Sequence, residues 1–205
     1  MDDYTALGNA VMQVFVKVLC KENHTTADDI KVLKCEYNRD PKKGFIKSAK
    51  GILTFVVPER SLNAGGSMFG GQATCLSDIF TSWLLMNTDL LSFEGKTRNS
   101  VSTFLQSEYI GAAKLDDIVR VEVCLDRIGK DVLFSGADFF NHESNALLYR
   151  TRHQKKIFSN VFIEWEHMKG DGDETNQNLV GDMMEKYKSA HETFMLEREK
   201  SSPKL

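Results

Sequence analysis

Two glycines, one aspartate and a cluster of bases are the residues of this chain that could do chemistry together. Gly70 and Gly71 close the segment SLNAGGSMFGG, residues 61–71, which has four glycines in eleven positions. The apolar stretch after them reads as a helix, so they stand at its start. There the first backbone N–H groups have no partner inside the helix and point out beside the positive pole of its dipole. Such an end binds an anion, or holds a carbonyl oxygen that becomes an oxyanion, and glycine lets a ligand come close. The same residues also read as a plain tight turn before a helix.

Asp78 is the ionisable residue within that apolar stretch. A carboxylate among apolar side chains is costly unless something pairs with it. It is either a structural aspartate satisfied by neighbours, or a general base or nucleophile with a shifted pKa. It follows Gly70 by eight residues, roughly 12 Å of helix. Asp78 therefore does not easily reach its own Gly70; a two-fold partner with an antiparallel helix would bring the two together. The bases are Arg150, Arg152, His153, Lys155 and Lys156. On a strand Arg152 and Lys155 fall on opposite faces, so not all serve one ligand. They read either as a solvated strand edge, where lysines discourage aggregation, or as a cradle for ligand phosphates.

The elements that must hold these groups follow from periodicity. Leu7, Val11, Phe15 and Val18 mark an amphipathic helix over about 4–22. Residues 30–38 (IKVLKCEYN) read as a strand, 38–44 as a turn with Pro41 and Gly44, and Ile52, Thr54 and Val56 as a second strand ending before Pro58. From Gln72 to Asn87 the wheel is apolar almost all round, the pattern of a helix buried on most sides. After Gly95 the period becomes two. Val101, Thr103, Leu105, Ser107 and Tyr109 share one face; Val119, Val121, Val123 and Leu125 alternate with Arg120, Glu122, Cys124 and Asp126. Strands over 131–141 and 146–158 complete a meander with hairpin spacing. The fold class is α+β, with one sheet able to wrap one helix.

Composition narrows the function classes. The chain has 205 residues, 41% hydrophobic and 27% charged, with net charge −3. That allows one sizeable core and excludes collagen-like, mucin-like and disordered chains. The balanced charge gives no basic field for duplex nucleic acid. No apolar run reaches the roughly 18 residues of a transmembrane helix. The acidic start MDDYTALG is unlike a signal or transit peptide. Cys20, Cys35, Cys75 and Cys124 lie far apart and read as reduced, mostly buried thiols.

The segment from 160 to 205 differs, with ten acidic and six basic residues. KGDGDETNQN (169–178) has the composition of a flexible linker. Met183, Tyr187, Ala190 and Phe194 mark a short helix with Asp182 as N-cap. This helix would pack on the domain or a sister subunit; the alternative is a disordered tail.

The stretch LNAGGSMFGGQATCLSDIFTSWLLM resembles the central loop and helix of hotdog-fold acyl-CoA thioesterases. The resemblance is to the phenylacetate-pathway (PaaI-like) branch and its animal relative, thioesterase superfamily member two. SVSTFLQSEYIGAAKLDDIVRVEVCLDRIGKDVLFSGADFFN resembles that family's strand meander, including the turn from Tyr109 to Asp116, and RTRHQKKIF its closing strand. It covers about residues 30–158. It implies a hotdog fold, a curved antiparallel sheet around a long central helix, in dimers that assemble further to tetramers. With the two tails outside the resemblance, the chain divides into an N-terminal helix (1–29), a hotdog domain (30–159) and an acidic linker with a helical tail (160–205).

By the resemblance, Asn63 matches the loop asparagine that helps position the attacking water. Gly70 matches the glycine whose N–H polarises the thioester carbonyl. Asp78 matches the general base or nucleophile, contributed by the partner subunit, and Ser102 the serine that orients that carboxylate or the water. Phe69, Gly71, Arg152, His153 and Lys155 are the candidate substrate-binding residues. The family's His-Gly-Gly is here Phe69-Gly70-Gly71; phenylalanine shapes an apolar pocket but donates no hydrogen bond. Two functions follow: hydrolysis of an acyl-CoA to an acid and CoA with no metal or redox cofactor, or a non-catalytic protein that binds acyl-CoA or a protein partner in the same groove. The expected setting is lipid metabolism in the cytoplasm, with peroxisome, from the weak C-terminal Pro203-Lys204-Leu205, or mitochondrion as alternatives.

Overall fold

The computed structural model describes residues 27–40, 45–93 and 96–164. They form strands β1 (Asp28–Arg39) and β2 (Ile46–Val56), helix α1 (Gly70–Ser92), and strands β3 (Lys96–Tyr109), β4 (Ile118–Ile128), β5 (Val132–Asn141) and β6 (Leu147–Glu164). A single 3-10 turn, Glu59–Ser61, precedes the Gly-rich loop. The expected N-terminal helix, most of the 38–44 turn, the linker, the tail helix and the C-terminal tripeptide lie outside the described residues. Among those residues no helix is long and apolar enough to cross a membrane.

The strands form one antiparallel sheet in the order β1-β2-β4-β5-β6-β3. Period-two patterning aims one face at α1. In β4, Val119, Val121, Val123 and Leu125 are all buried, while Arg120, Glu122, Cys124 and Asp126 face away, as the alternation predicts. Leu53 and Phe55 of β2, Leu133 and Phe139 of β5, and Tyr149 and Ile157 of β6 complete the floor. Onto it α1 lays Ala73, Leu76, Phe80, Trp83, Leu84 and Leu90. Phe80 centres the aromatic contacts, 6.4 Å from Phe55 and 5.4 Å from Trp83. Each large side chain so buried contributes about 1.5–3 kcal/mol.

The helix is longer than the apolar run suggests, reaching back to Gly70 and on to Ser92. Its second half carries polar residues whose groups are satisfied within the fold. Thr88 and Ser92 hydroxyls donate to the carbonyls of Leu85 and Thr88, both at 2.7 Å. Asp89, 1% exposed, accepts from the Arg98 backbone N–H at 2.9 Å and pairs with its guanidinium at 2.6 Å. That pair ties the end of α1 to the start of β3, which begins five residues before Val101.

Two expectations about the strands change. β6 is not a sheet edge: it is paired with β5 on one side and β3 on the other, and of its bases His153 and Lys155 are buried while Arg152 and Lys156 stay exposed. The edge on this side is β3, whose Val101, Phe104 and Tyr109 are exposed; β1 is the other edge among the described residues. Strict alternation along β3 also fails. Ser102 pairs with Lys155 and Phe104 with Gln154, leaving Thr103 as the extra residue of a bulge. The bulge lets Ser102, Ser107 and Tyr109 all turn toward α1, although Ser102 differs from the other two in parity. The thiols differ as well: Cys35 is buried, Cys124 half-buried, but Cys75 on α1 is exposed.

Candidate active site

The Gly-rich loop is built around Asn63. Its carboxamide oxygen accepts from the N–H of Gly65 at 2.8 Å, and its amide nitrogen donates to Ser67 Oγ at 3.2 Å. The backbone closes the turn, Asn63 N–H to Ser67 O at 2.8 Å, with Gly66 at a φ of +73°. Met68 N–H then donates to Ala113 O at 2.7 Å and Phe69 N–H to Ser61 O at 2.8 Å, fixing where the helix begins. Gln72 N–H reaches Phe69 O at 2.8 Å. The N–H groups of Gly70 and Gly71 have no acceptor among the described residues. They are the free donors that the sequence pattern led one to expect.

Each of these glycines carries an aromatic ring. A Cβ on Gly70 would lie 2.7 Å from Tyr109 Cε1, and a Cβ on Gly71 would lie 2.6 Å from Phe69 Cε1. Phe69 itself is 56% exposed, so its ring covers the first turn of α1 from the solvent side. No larger residue fits at either position without moving a ring.

Two turns further along α1, the Asp78 side chain is 45% exposed and meets the buried Lys155 and His153 together with the exposed Ser102. Lys155 Nζ lies 3.0 Å from Asp78 Oδ1 and 3.2 Å from Ser102 Oγ. His153 Nε2 is 2.9 Å from Ser102 Oγ and 3.6 Å from Asp78 Oδ1. The other ring nitrogen, Nδ1, is 2.7 Å from Thr81 Oγ1. Ser102 Oγ is 3.3 Å from Asp78 Oδ1. Thus β6 supplies two of the bases, β3 the serine, and α1 the carboxylate.

The charges in this cluster are set by competing effects. Burial pushes the Asp78 pKa up, but the hydrogen bond and charge of Lys155, with His153 and Ser82 beside it, outweigh burial and hold it below the usual aspartate value. Burial first, and the Lys155 charge second, push His153 down to about 4, against the opposing pull of Asp78. At neutral pH the cluster therefore holds an ionised Asp78 and a neutral His153. Burial, with the Asp78 charge adding to it, raises the Cys75 thiol one turn away, so that exposed sulfur is no thiolate nucleophile at neutral pH.

Of the residues singled out from sequence, the structure brings together Asp78, Ser102, His153 and Lys155. Phe69, Gly70 and Gly71 form a second group at the helix start, with Asn63 in the loop before it. Both groups ride on the one continuous helix, so eight residues of α1 still separate Gly70 from Asp78 within a chain. Arg152 joins neither group. It projects from the outer face of the sheet into a groove of about 740 Å³ with Phe104, Phe134 and Arg150. Thr81 was not legible from sequence as part of the site; its only signal is a hydroxyl one turn after Asp78 on the same helix. Tyr109 was legible as a strand residue, but not as the ring against Gly70.

No family model and no curated protein matches the chain. Solved structures do. Mouse thioesterase superfamily member 2 matches with a TM-score of 0.53 at 21% identity, over 76% of this chain and 98% of that one. The E. coli PaaI protein from the phenylacetic acid degradation operon matches with a TM-score of 0.53 at 13% identity, over 74% and 96%. The zebrafish thioesterase superfamily member 2 gives 0.50 at 21% identity, over 62% and 80%. This chain has the hotdog fold. The resemblance read from its sequence is borne out in the structures it is similar to, and at these identities the likeness is one of fold. Within the hotdog fold, α1 is the central helix, and the two groups of candidate residues lie along it.

Proposed function

We propose that this chain is an acyl-CoA thioesterase, hydrolysing an acyl-CoA to a carboxylic acid and free CoA. The observation that carries the reading is Asp78: an ionised, half-exposed carboxylate held by Lys155 beside Ser102, on the same helix that begins with two free N–H donors. The hotdog fold shared with thioesterases supports it. In the proposed reaction Asp78 takes a proton from water as the oxygen attacks the thioester carbonyl. The carbonyl oxygen becomes an oxyanion on the Gly70 N–H, with Gly71 beside it. Collapse of the adduct breaks the C–S bond, and the departing thiolate takes back the proton held by Asp78, leaving CoA, the acid and an ionised Asp78. Phe69 walls the approach of the acyl group.

The reading requires a second subunit. Gly70 and Asp78 of one chain are roughly 12 Å apart along α1, too far to act on one carbonyl. A two-fold partner joined along the exposed edge of β3 would run its helix antiparallel and set its Asp78 against this chain's Gly70. The exposed Val101, Phe104 and Tyr109 on β3 support that edge as the dimer interface.

A second reading rests on Phe69. Its ring lies over Gly71 where the resembled family has a polar histidine, which suits a protein that binds acyl-CoA without turning it over. The test of both is release of free thiol from a panel of short, long and aromatic acyl-CoAs by the full chain, with Asp78→Asn alongside. Turnover that the variant loses while still binding ligand supports the hydrolase. Binding with no turnover on any substrate supports the second reading.

A further inference from the structure

The contacts on the Asp78 carboxylate are one-sided. Lys155 Nζ at 3.0 Å, Ser102 Oγ and Ser82 Oγ at 3.3 Å, and His153 Nε2 at 3.6 Å all lie on Oδ1. Among the described residues, none lies on Oδ2. The two oxygens of this carboxylate are therefore not equivalent.

Which of those groups actually donates to Oδ1 follows from proton bookkeeping through the cluster. The Ser77 carbonyl oxygen can only accept, and Thr81 Oγ1 lies 2.7 Å from it, so the Thr81 hydroxyl donates there. Thr81 Oγ1 then accepts from His153 Nδ1–H at 2.7 Å. A neutral imidazole carries one proton, so Nε2 is bare and accepts the Ser102 hydroxyl proton at 2.9 Å. Ser102 has no second proton for Asp78. Ser82 donates its own proton to the Asp78 backbone carbonyl at 2.6 Å. What remains is the Lys155 ammonium, which has three protons and reaches both Asp78 Oδ1 and Ser102 Oγ.

We infer that Lys155 is a positioning residue: its buried ammonium clamps Asp78 through Oδ1, with His153 and Thr81 locking Ser102 as its second acceptor, so that Oδ2 is the oxygen presented to the reacting water. The inference rests on the hydrolase reading above. It differs from a phosphate cradle, because Lys155 is 5% exposed and its charge is already paired. It also gives Ser102 a new part, as an anchor for the lysine rather than a donor to the carboxylate.

The ionisable groups facing Asp78 among the described residues are His153 and Lys155 from β6 and Cys75 from its own helix; β3 contributes only Ser102. With Lys155 replaced by a neutral side chain, burial of the carboxyl is no longer opposed by a full charge.

The experiment follows the Asp78 carboxyl carbon by NMR titration together with the pH profile of kcat on the best acyl-CoA, in wild type, Lys155→Met and Lys155→Arg. Wild type is expected to titrate Asp78 below the usual aspartate value. Lys155→Met is expected to raise that titration and the acid limb of kcat together, by about one pH unit or more. It is also expected to lower kcat at pH 7 by about 10²-fold with little change in KM, and Lys155→Arg to restore part of the loss. If Lys155→Met does not fold, Lys155→Gln and the wild-type titration carry the same test. Turnover that Asp78→Asn abolishes but the Lys155 variants leave intact overturns the inference alone. A wild-type Asp78 that titrates at or above the usual value also overturns it. Absence of any wild-type turnover overturns the hydrolase reading and the inference with it.

Discussion

The ring of Tyr109 stands so close to Gly70 that a methyl group there would sit 2.7 Å from Tyr109 Cε1. The ring is held from its other end, where the hydroxyl meets Thr74 Oγ1 at 2.9 Å. Any side chain at position 70 therefore has to displace the Tyr109 ring of β3. Gly70→Ala is expected to destabilise the chain by about 1–3 kcal/mol through overpacking. In a Tyr109→Ala background the same change should cost less, by about 1 kcal/mol. Urea denaturation of the four proteins of this double-mutant cycle measures the coupling; additive effects would contradict the packing argument.

His153 gives stability a defined pH dependence. Its pKa falls from 6.5 unfolded to about 4 folded, because burial and the Lys155 charge disfavour the imidazolium. Between those values the unfolded chain binds the proton and the folded chain does not, so stability falls as pH drops from about 6.5 toward 4. Asp78, held below its ordinary value, contributes stability that is lost only at lower pH. Urea midpoints at pH 6.5 and 4.5 should therefore drop more in wild type than in His153→Gln. Nitrogen NMR of the ring should show the proton on Nδ1 at neutral pH.

The Asp89–Arg98 pair is buried at both ends, with side-chain exposures of 1% and 8%. Desolvation of Asp89 is only partly offset by Arg98, and the net effect raises its pKa. Removing one partner leaves an uncompensated charge in the core. Asp89→Ala is expected to cost about 3–5 kcal/mol, and replacing both residues with apolar side chains of similar volume considerably less. Chemical denaturation of the single and double variants distinguishes these outcomes.

Phe69 is exposed and touches the first turn of α1 with its ring. Phe69→His supplies a donor beside Gly70 and Gly71. On the proposed hydrolase reaction it is expected to raise kcat about tenfold or more, with stability changed by less than about 0.5 kcal/mol. Steady-state kinetics on the acyl-CoA panel reads this directly, and an unchanged or lower kcat would count against a positioning deficit at this place.

Much of the fold is visible in local pattern. Val119 to Leu125 alternate because one face of β4 is core and the other solvent, and that period survives in any sequence that builds a half-buried strand. Gly70, Gly71 and Asp78 stand out because their types conflict with an apolar helix. The parts that escaped notice depend on pairing across the chain. The bulge at Thr103 exists only relative to β6, so alternation alone put Ser102 on the wrong face. Lys155 and His153 read as bases of a strand edge or of a phosphate cradle because nothing local shows that β6 lies between two strands. Asp89 extends α1 past its apolar run because Arg98, nine residues on, supplies its counter-charge. The Thr81–His153 contact spans 72 residues and leaves no periodic trace.

The proposed reaction needs a site assembled from the Asp78 of one subunit and the Gly70 N–H of another. Proline suits the first position of a helix and deletes the N–H, and Phe69 before it is already extended, with ψ of 129°. Gly70→Pro should therefore remove the donor, with the Tyr109 ring displaced by the added Cβ, and Asp78→Asn the base. Each variant alone is expected to be inactive. The measurement is acyl-CoA hydrolysis by the two inactive variants after they are unfolded together and refolded as a mixture. Activity is expected to return, toward roughly a quarter of the wild-type sites, because half of the dimers then hold one intact pair. A mixture that folds and forms dimers yet stays as inactive as its parents would contradict it.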